Sequence, residues 1–169
     1  MISDIFIEMF NSDISSKNKS LVFVFLITFS RFEFALKNSI EFATSNKSGV
    51  KPNWDKFCNS LENLFNKSNS RDLSEAVDYL LNNPPKIQHL ENNTIIWQDR
   101  IFDNTTSIMN QLNLHIRTIR NNLFHGGKIN GKSEKELVRD FNLLNSAMII
   151  LNEWLTLNEK VKRLFLTNI

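Results

Sequence analysis

The sequence predicts an all-α fold, a helical bundle of four or more helices, on three observations. Helix breakers are scarce: the 169 residues include 4 Gly and 3 Pro against 14 Phe, a balance that favours long helices over a loop-rich fold. Large apolar residues recur at helical spacing, with Phe25, Phe29, Phe32 and Leu36 separated by four, three and four positions. Stop and start signals stand between the striped segments, among them Gly126-Gly127 and Ser133-Glu134-Lys135-Glu136. The length suits one domain, 1–169, and 41% hydrophobic with 22% charged residues is ordinary for a globular chain with a real core.

Each element follows from local pattern. Met1–Phe10 gathers Ile2, Ile5, Phe6 and Met9 on one helical face, and the polar stretch Asn11–Ser20 reads as a loop. From Lys19 to about Thr44 the chain reads as one long helix; Leu21–Ile27 alone would suit a strand, but continuity into Arg31–Lys37 favours helix. Gly49 and Pro52 then break the chain, and Asn53 is an N-cap for a helix carrying Trp54, Phe57, Leu61, Leu64 and Phe65. After a polar break at Ser68–Ser70, Arg71–Leu81 turns Leu73, Val77, Leu80 and Leu81 inward and ends at Asn82-Asn83-Pro84-Pro85. Lys86–Asp103 has no clear period and reads as a packed loop or short helix around Ile95, Ile96 and Trp97. Thr105–His125 carries Ile108, Leu112, Ile116, Ile119 and Leu123 and stops at the paired glycines. A capping box, with Ser133 as N-cap and Glu136 reaching back, opens the last helix through Leu137, Phe141, Leu144, Met148, Leu151 and Leu155, extending toward Phe165.

Charge and residue usage narrow the function classes. A net charge of +2 permits contact with RNA phosphates but lacks the basic excess of a dedicated duplex-DNA binder. Any nucleic-acid site must therefore come from a local cluster or from symmetry. Cys58 is the single cysteine, so no internal disulfide or Cys-based zinc site is expected, and a reducing, cytoplasmic setting fits. His89, His115 and His125 lack close metal-ligand spacing, so neither a metal nor a cofactor is expected. Met1–Phe10 bears Asp4 and Glu8 and no basic n-region, unlike a signal peptide, and the apolar run Leu21–Phe29 is too short to span a bilayer, so no membrane role is expected.

Chemistry concentrates in Arg120-Asn121-Asn122-Leu123-Phe124-His125-Gly126-Gly127-Lys128. On an ideal helix Arg120 and His125 stand roughly 140° apart in azimuth and about 7.5 Å apart along the axis. His125 precedes two glycines, however, so its backbone can leave helical geometry, and the long Arg120 side chain can lean toward it. Such a set suits RNA cleavage. An imidazole can take the proton of a 2′-hydroxyl or give one to the leaving 5′-oxygen. A guanidinium can grip two phosphate oxygens and offset transition-state charge, and the Asn121 amide can hold an oxygen or orient the imidazole.

An Arg followed by a polar residue and then a His, at the end of a helix in a helical domain, resembles the HEPN superfamily, whose motif is Arg-x(4–6)-His. Arg120-Asn121-(three residues)-His125 corresponds to the short version, and Gly126-Gly127-Lys128 is similar to some members. Phe29-Ser30-Arg31-Phe32-Glu33-Phe34-Ala35-Leu36-Lys37 resembles the first long helix of some prokaryotic members. The resemblance covers the helix at 20–44 and the last two long helices, leaving 46–103 as a candidate helical insert. It implies a helical bundle that homodimerises with its motifs facing each other. The implied activity is that of a metal-independent endoribonuclease, a hydrolase used as a toxin or in anti-phage defence, with a nucleotidyltransferase-type antitoxin as partner.

Each residue also has a plainer reading. His125 can cap helix carbonyls, and Arg120 can be a solvated or ion-paired surface residue. Arg117, one turn before Arg120, and Lys128 are candidates for RNA contact or for simple solvation. His115 lies near the apolar stripe and is expected to be packed. Glu33, an acid within an apolar helix, wants a partner: either the catalytic Arg, which it would orient, or an ordinary salt bridge. Besides the endoribonuclease, two functions fit the sequence: a non-catalytic HEPN-like module that binds RNA, a nucleotide or a protein, and a structural helical dimer without ligand.

Overall fold

The computed structural model describes residues 16–47, 49–124 and 133–167. The expected helix at Met1–Phe10 and the stop at Gly126-Gly127 lie outside the described residues. Six α-helices are described: α1 (Ser16–Lys37), α2 (Trp54–Leu61), α3 (Arg71–Asn82), α4 (Ile108–Phe124), α5 (Glu134–Leu157) and α6 (Glu159–Leu166). Two antiparallel hairpins interrupt them, β1 (Ala43–Asn46) with β2 (Gly49–Pro52) and β3 (Ile87–Glu91) with β4 (Thr94–Gln98).

The fold is thus rich in helix but not all-α, and the hairpins correct the sequence reading. The long first helix ends at Lys37 rather than near Thr44, and Ser39–Phe42 forms turns that feed β1. The Gly49 break is the mouth of a hairpin in which Asn46 pairs with Gly49 and Ala43 with Pro52; Gly49 has φ +105, where glycine meets no Cβ clash. Lys86–Asp103 is neither loop nor short helix over most of its length. β3 and β4 pair from Ile87↔Gln98 to Glu91↔Thr94, and their two-residue turn sets Asn92 and Asn93 at φ 48 and 61. Asn is one of the few side chains that tolerate positive φ at both positions of such a turn.

Caps fix the other boundaries. Asn53 accepts from Lys56 N and Ser70 from Leu73 N, opening α2 and α3. The capping box forms in full, with Ser133 Oγ accepting from Glu136 N and Glu136 Oε2 accepting from Ser133 N at 2.9 Å. The last helix does not run through to Phe165: Asn158 leaves helical geometry and its side chain caps the new helix α6 by accepting from Val161 N.

Aromatic rings join the helices. Phe29 and Phe32 of α1 each stack on Trp54 with centroids 5.1 Å apart, and Phe57 meets Phe32 and Phe42 at 5.3 Å and Trp154 of α5 at 6.2 Å. Around this centre α3 packs along α5, α6 along α1 and α2 along α4. Arg31 ties the end of α6 to α1, donating from Nε to Phe165 O at 2.7 Å and from Nη2 to Leu164 O and Thr167 O. A cation at a helix C-terminus meets both the orphan carbonyls and the negative end of the dipole.

Phe57 meets α1, α5 and the turn before β1 and has no exposed surface. Phe57→Ala is therefore expected to destabilise the protein by about 3–5 kcal/mol, read as a lowered denaturant midpoint with an unchanged slope.

Candidate functional site

The helix carrying the Arg-Asn motif is positioned by its own stripe. Met109, Leu112, Ile116 and Ile119 of α4 are buried at spacings of three, four and three. Arg120 follows Ile119 and lies one turn beyond Ile116, at the border between core and solvent. Its guanidinium reaches α1: Nη2 stands 4.0 Å from Glu33 Oε2, and the guanidinium carbon lies 5.7 Å from the centroid of the Phe29 ring. Nη1 donates to Asn121 Oδ1 at 3.1 Å. Both members of the ion pair are partly withdrawn from water, with 32% and 25% of their side chains exposed.

Arg120, Asn121 and Glu33 thus come together, whereas Arg117 faces elsewhere. Arg117 Nη1 lies 3.7 Å from Asp55 Oδ1 on α2, and Asn113 Nδ2 donates to the same carboxylate oxygen at 2.9 Å. That arrangement gives Arg117 a structural partner on the α2 side of the helix. His125 and Lys128 lie outside the described residues.

Beside Asn121 a small cleft of about 170 Å³ opens between α4 and the second hairpin, lined by Ile87, Gln88, Arg100, Thr118, Asn121 and Asn122. Asn122 Nδ2 donates to Lys86 O at 3.0 Å, which pins the start of β3 to α4. Arg139 of α5 holds the chain just before it, donating to Pro84 O at 2.7 Å. Arg100 Nη2 donates to Thr118 Oγ1 at 3.3 Å, and that hydroxyl in turn donates to Leu114 O at 2.7 Å. No motif marked Arg100 or Thr118 in the sequence, because the cleft is built from residues far apart in the chain and depends on a hairpin that the apolar period does not reveal.

Two further titratable groups are core residues. His115 is buried and meets the Phe102 ring edge-on at 5.2 Å, the packed role its place near the apolar stripe predicts. Burial first, and then the charge of Arg100, lower its pKa from 6.5 to about 4, so it is neutral at pH 7. The Cys58 thiol is buried, and burial reinforced by Asp55 holds it well above the usual thiol range; such a thiol is a poor nucleophile. Among the described residues no group of three His, Cys, Asp or Glu is placed to hold a metal ion, and no helix is long and apolar enough to cross a membrane.

No family model matches the chain, and comparison with curated proteins and with solved structures finds no match.

The His115 shift has a definite sign. Between pH 6.5 and about 4 the unfolded chain protonates this imidazole and the folded chain does not, so stability is full above pH 6.5 and falls as the pH drops through that window. The loss is expected to reach about 3 kcal/mol near pH 4. In His115→Gln the part of the acid destabilisation between pH 6.5 and 4 that comes from this residue disappears, as read from denaturation midpoints across that range.

Proposed function

We propose that the protein is a metal-independent endoribonuclease of HEPN type, in which Arg120 and His125 act on one phosphodiester. The observation that carries the reading is the setting of Arg120. A guanidinium in the last turns of a helix, five positions before His125 in the chain, rests over Phe29, is held by Glu33 and touches Asn121. It remains about one-third exposed. An arginine packed in this way keeps its planar fork in one orientation, the property that bidentate phosphate binding uses.

In the proposed reaction the 2′-hydroxyl gives up its proton as its oxygen attacks the adjacent phosphorus. The bond from phosphorus to the 5′-oxygen breaks, and that oxygen takes up a proton. The products are a 2′,3′-cyclic phosphate and a 5′-hydroxyl. His125 serves as general base or acid, Arg120 offsets charge on the pentacoordinate phosphate and Asn121 orients the group. Glu33 acts through Arg120, as a positioning residue. Arg117 and Lys128 contribute, at most, attraction to RNA; the Asp55 contact weakens that role for Arg117.

A homodimer fits the same reading. The outer face of α1 leaves Phe23, Val24, Ile27 and Phe34 exposed at helical spacing, an apolar stripe of the kind that marks an interface. Glu33 is on the same helix, so the interface of such a dimer would run along the helix that meets Arg120. A toxin or anti-phage role in the cytoplasm, with a nucleotidyltransferase-type antitoxin, belongs to this proposal through the family resemblance.

Purified protein is expected to cleave RNA in EDTA and to leave 2′,3′-cyclic phosphate ends, while His125→Ala folds normally and loses cleavage by at least a hundredfold. Equal cleavage by the variant, or strict dependence on Mg²⁺, contradicts the assignment. Tight RNA binding without cleavage by wild type would mark a binding module instead.

A further inference from the structure

We propose that the cleft beside Asn121 is a second phosphate subsite, in which Arg100 receives the phosphate of a nucleotide flanking the one that Arg120 engages; the flanking relation rests on the ribonuclease reading above, the anion site itself does not. Arg100 is a charge without a counter-ion: among the described residues it makes no ion pair, and its one hydrogen bond goes to the neutral hydroxyl of Thr118. Its Nε is buried and has no hydrogen-bond partner there. Withdrawing a guanidinium from water without a carboxylate is costly, and a bound anion removes that cost. Asp99, next in the chain, is exposed and makes no ion pair with it.

The lining points to the same class of ligand. The cleft walls contain amides, a hydroxyl and one aliphatic side chain beside Arg100, and no carboxylate. His115, the other basic group close to Arg100, is kept neutral by burial, so the cleft carries one positive charge. About 170 Å³ is below the range of pockets that enclose whole cofactors and suits a single phosphate group. Asn121 supplies continuity: it belongs to both places, lining the cleft that holds Arg100 and accepting at Oδ1 from Arg120 Nη1.

The probe for the anion site is inorganic phosphate, titrated into the full-length protein and followed by backbone amide shifts. Saturable shifts at Thr118 and Asn121 are expected in wild type, weakened at least tenfold in affinity in Arg100→Gln, whose amide can still donate to Thr118. Gln88→Glu places a carboxylate on the exposed rim of the cleft without touching the core and is expected to have the same effect; it decides the matter if Arg100→Gln fails to fold. The flanking relation is read in His125→Ala, where single-stranded RNA binding should lose about 0.7 from its log–log salt slope when Arg100→Gln is added. No saturable shift, or equal phosphate affinity in a folded Arg100→Gln or in Gln88→Glu, overturns the subsite even if RNA cleavage proceeds. Phosphate binding that depends on Arg100 in a protein that never cleaves RNA keeps the subsite and removes only the flanking relation.

Discussion

A guanidinium at the edge of an aromatic core, held by an acid from another helix, is the contact on which the arrangement of the site depends. Arg120 Nη2 and Glu33 Oε2 are 4.0 Å apart, which corresponds to about 4 kcal/mol of gross attraction at an effective dielectric constant near 20. Desolvation of two partly buried ions offsets most of this. The pair is therefore a weak source of stability, and its effect is to draw the guanidinium toward α1. Phe29 beneath the guanidinium and Asn121 beside it remove further freedom.

The aromatic centre makes that contact possible. Phe29 stacks on Trp54, and Phe32, next to Glu33, stacks on the same indole. α1 thereby presents Glu33 at a fixed height against α4. Arg31 meanwhile secures the last carbonyls of α6. Successive residues Arg31, Phe32 and Glu33 thus point to three different tasks: closing a helix, filling the core and meeting Arg120. The second hairpin adds the other wall of the site, because Asn122 and Arg139 hold the segment that leads into it from two helices.

How much of this was legible in the sequence varies by element. Helices with apolar stripes are legible in kind, and the starts at Asn53 and Ser133 fall where their side-chain chemistry predicts, whereas the ends at Lys37 and Leu61 come earlier than the stripes suggest and the cap at Ser70 lies hidden in a polar break. The hairpins were not legible, for a physical reason. β1 and β2 are almost wholly exposed, so they carry no apolar alternation to detect. In β3 and β4 the signal was present in other terms: Asn92-Asn93 tolerates positive φ, and Thr94-Ile95-Ile96-Trp97 is rich in strand-favouring side chains. The partnership of Arg120 with Glu33 was one of two alternatives that an acid in an apolar helix suggests. Arg100 was invisible, because its significance comes from what does not neighbour it in space.

The central claim is that Arg120 is held as an oriented fork for a phosphate rather than as a generic positive charge. Arg120→Lys tests it most directly, since it keeps the charge and the reach to Glu33 while removing the planar donor set. Measured on purified protein of matched thermal stability, RNA cleavage by this variant is predicted to fall at least a hundredfold. Cleavage at the wild-type rate would contradict the account.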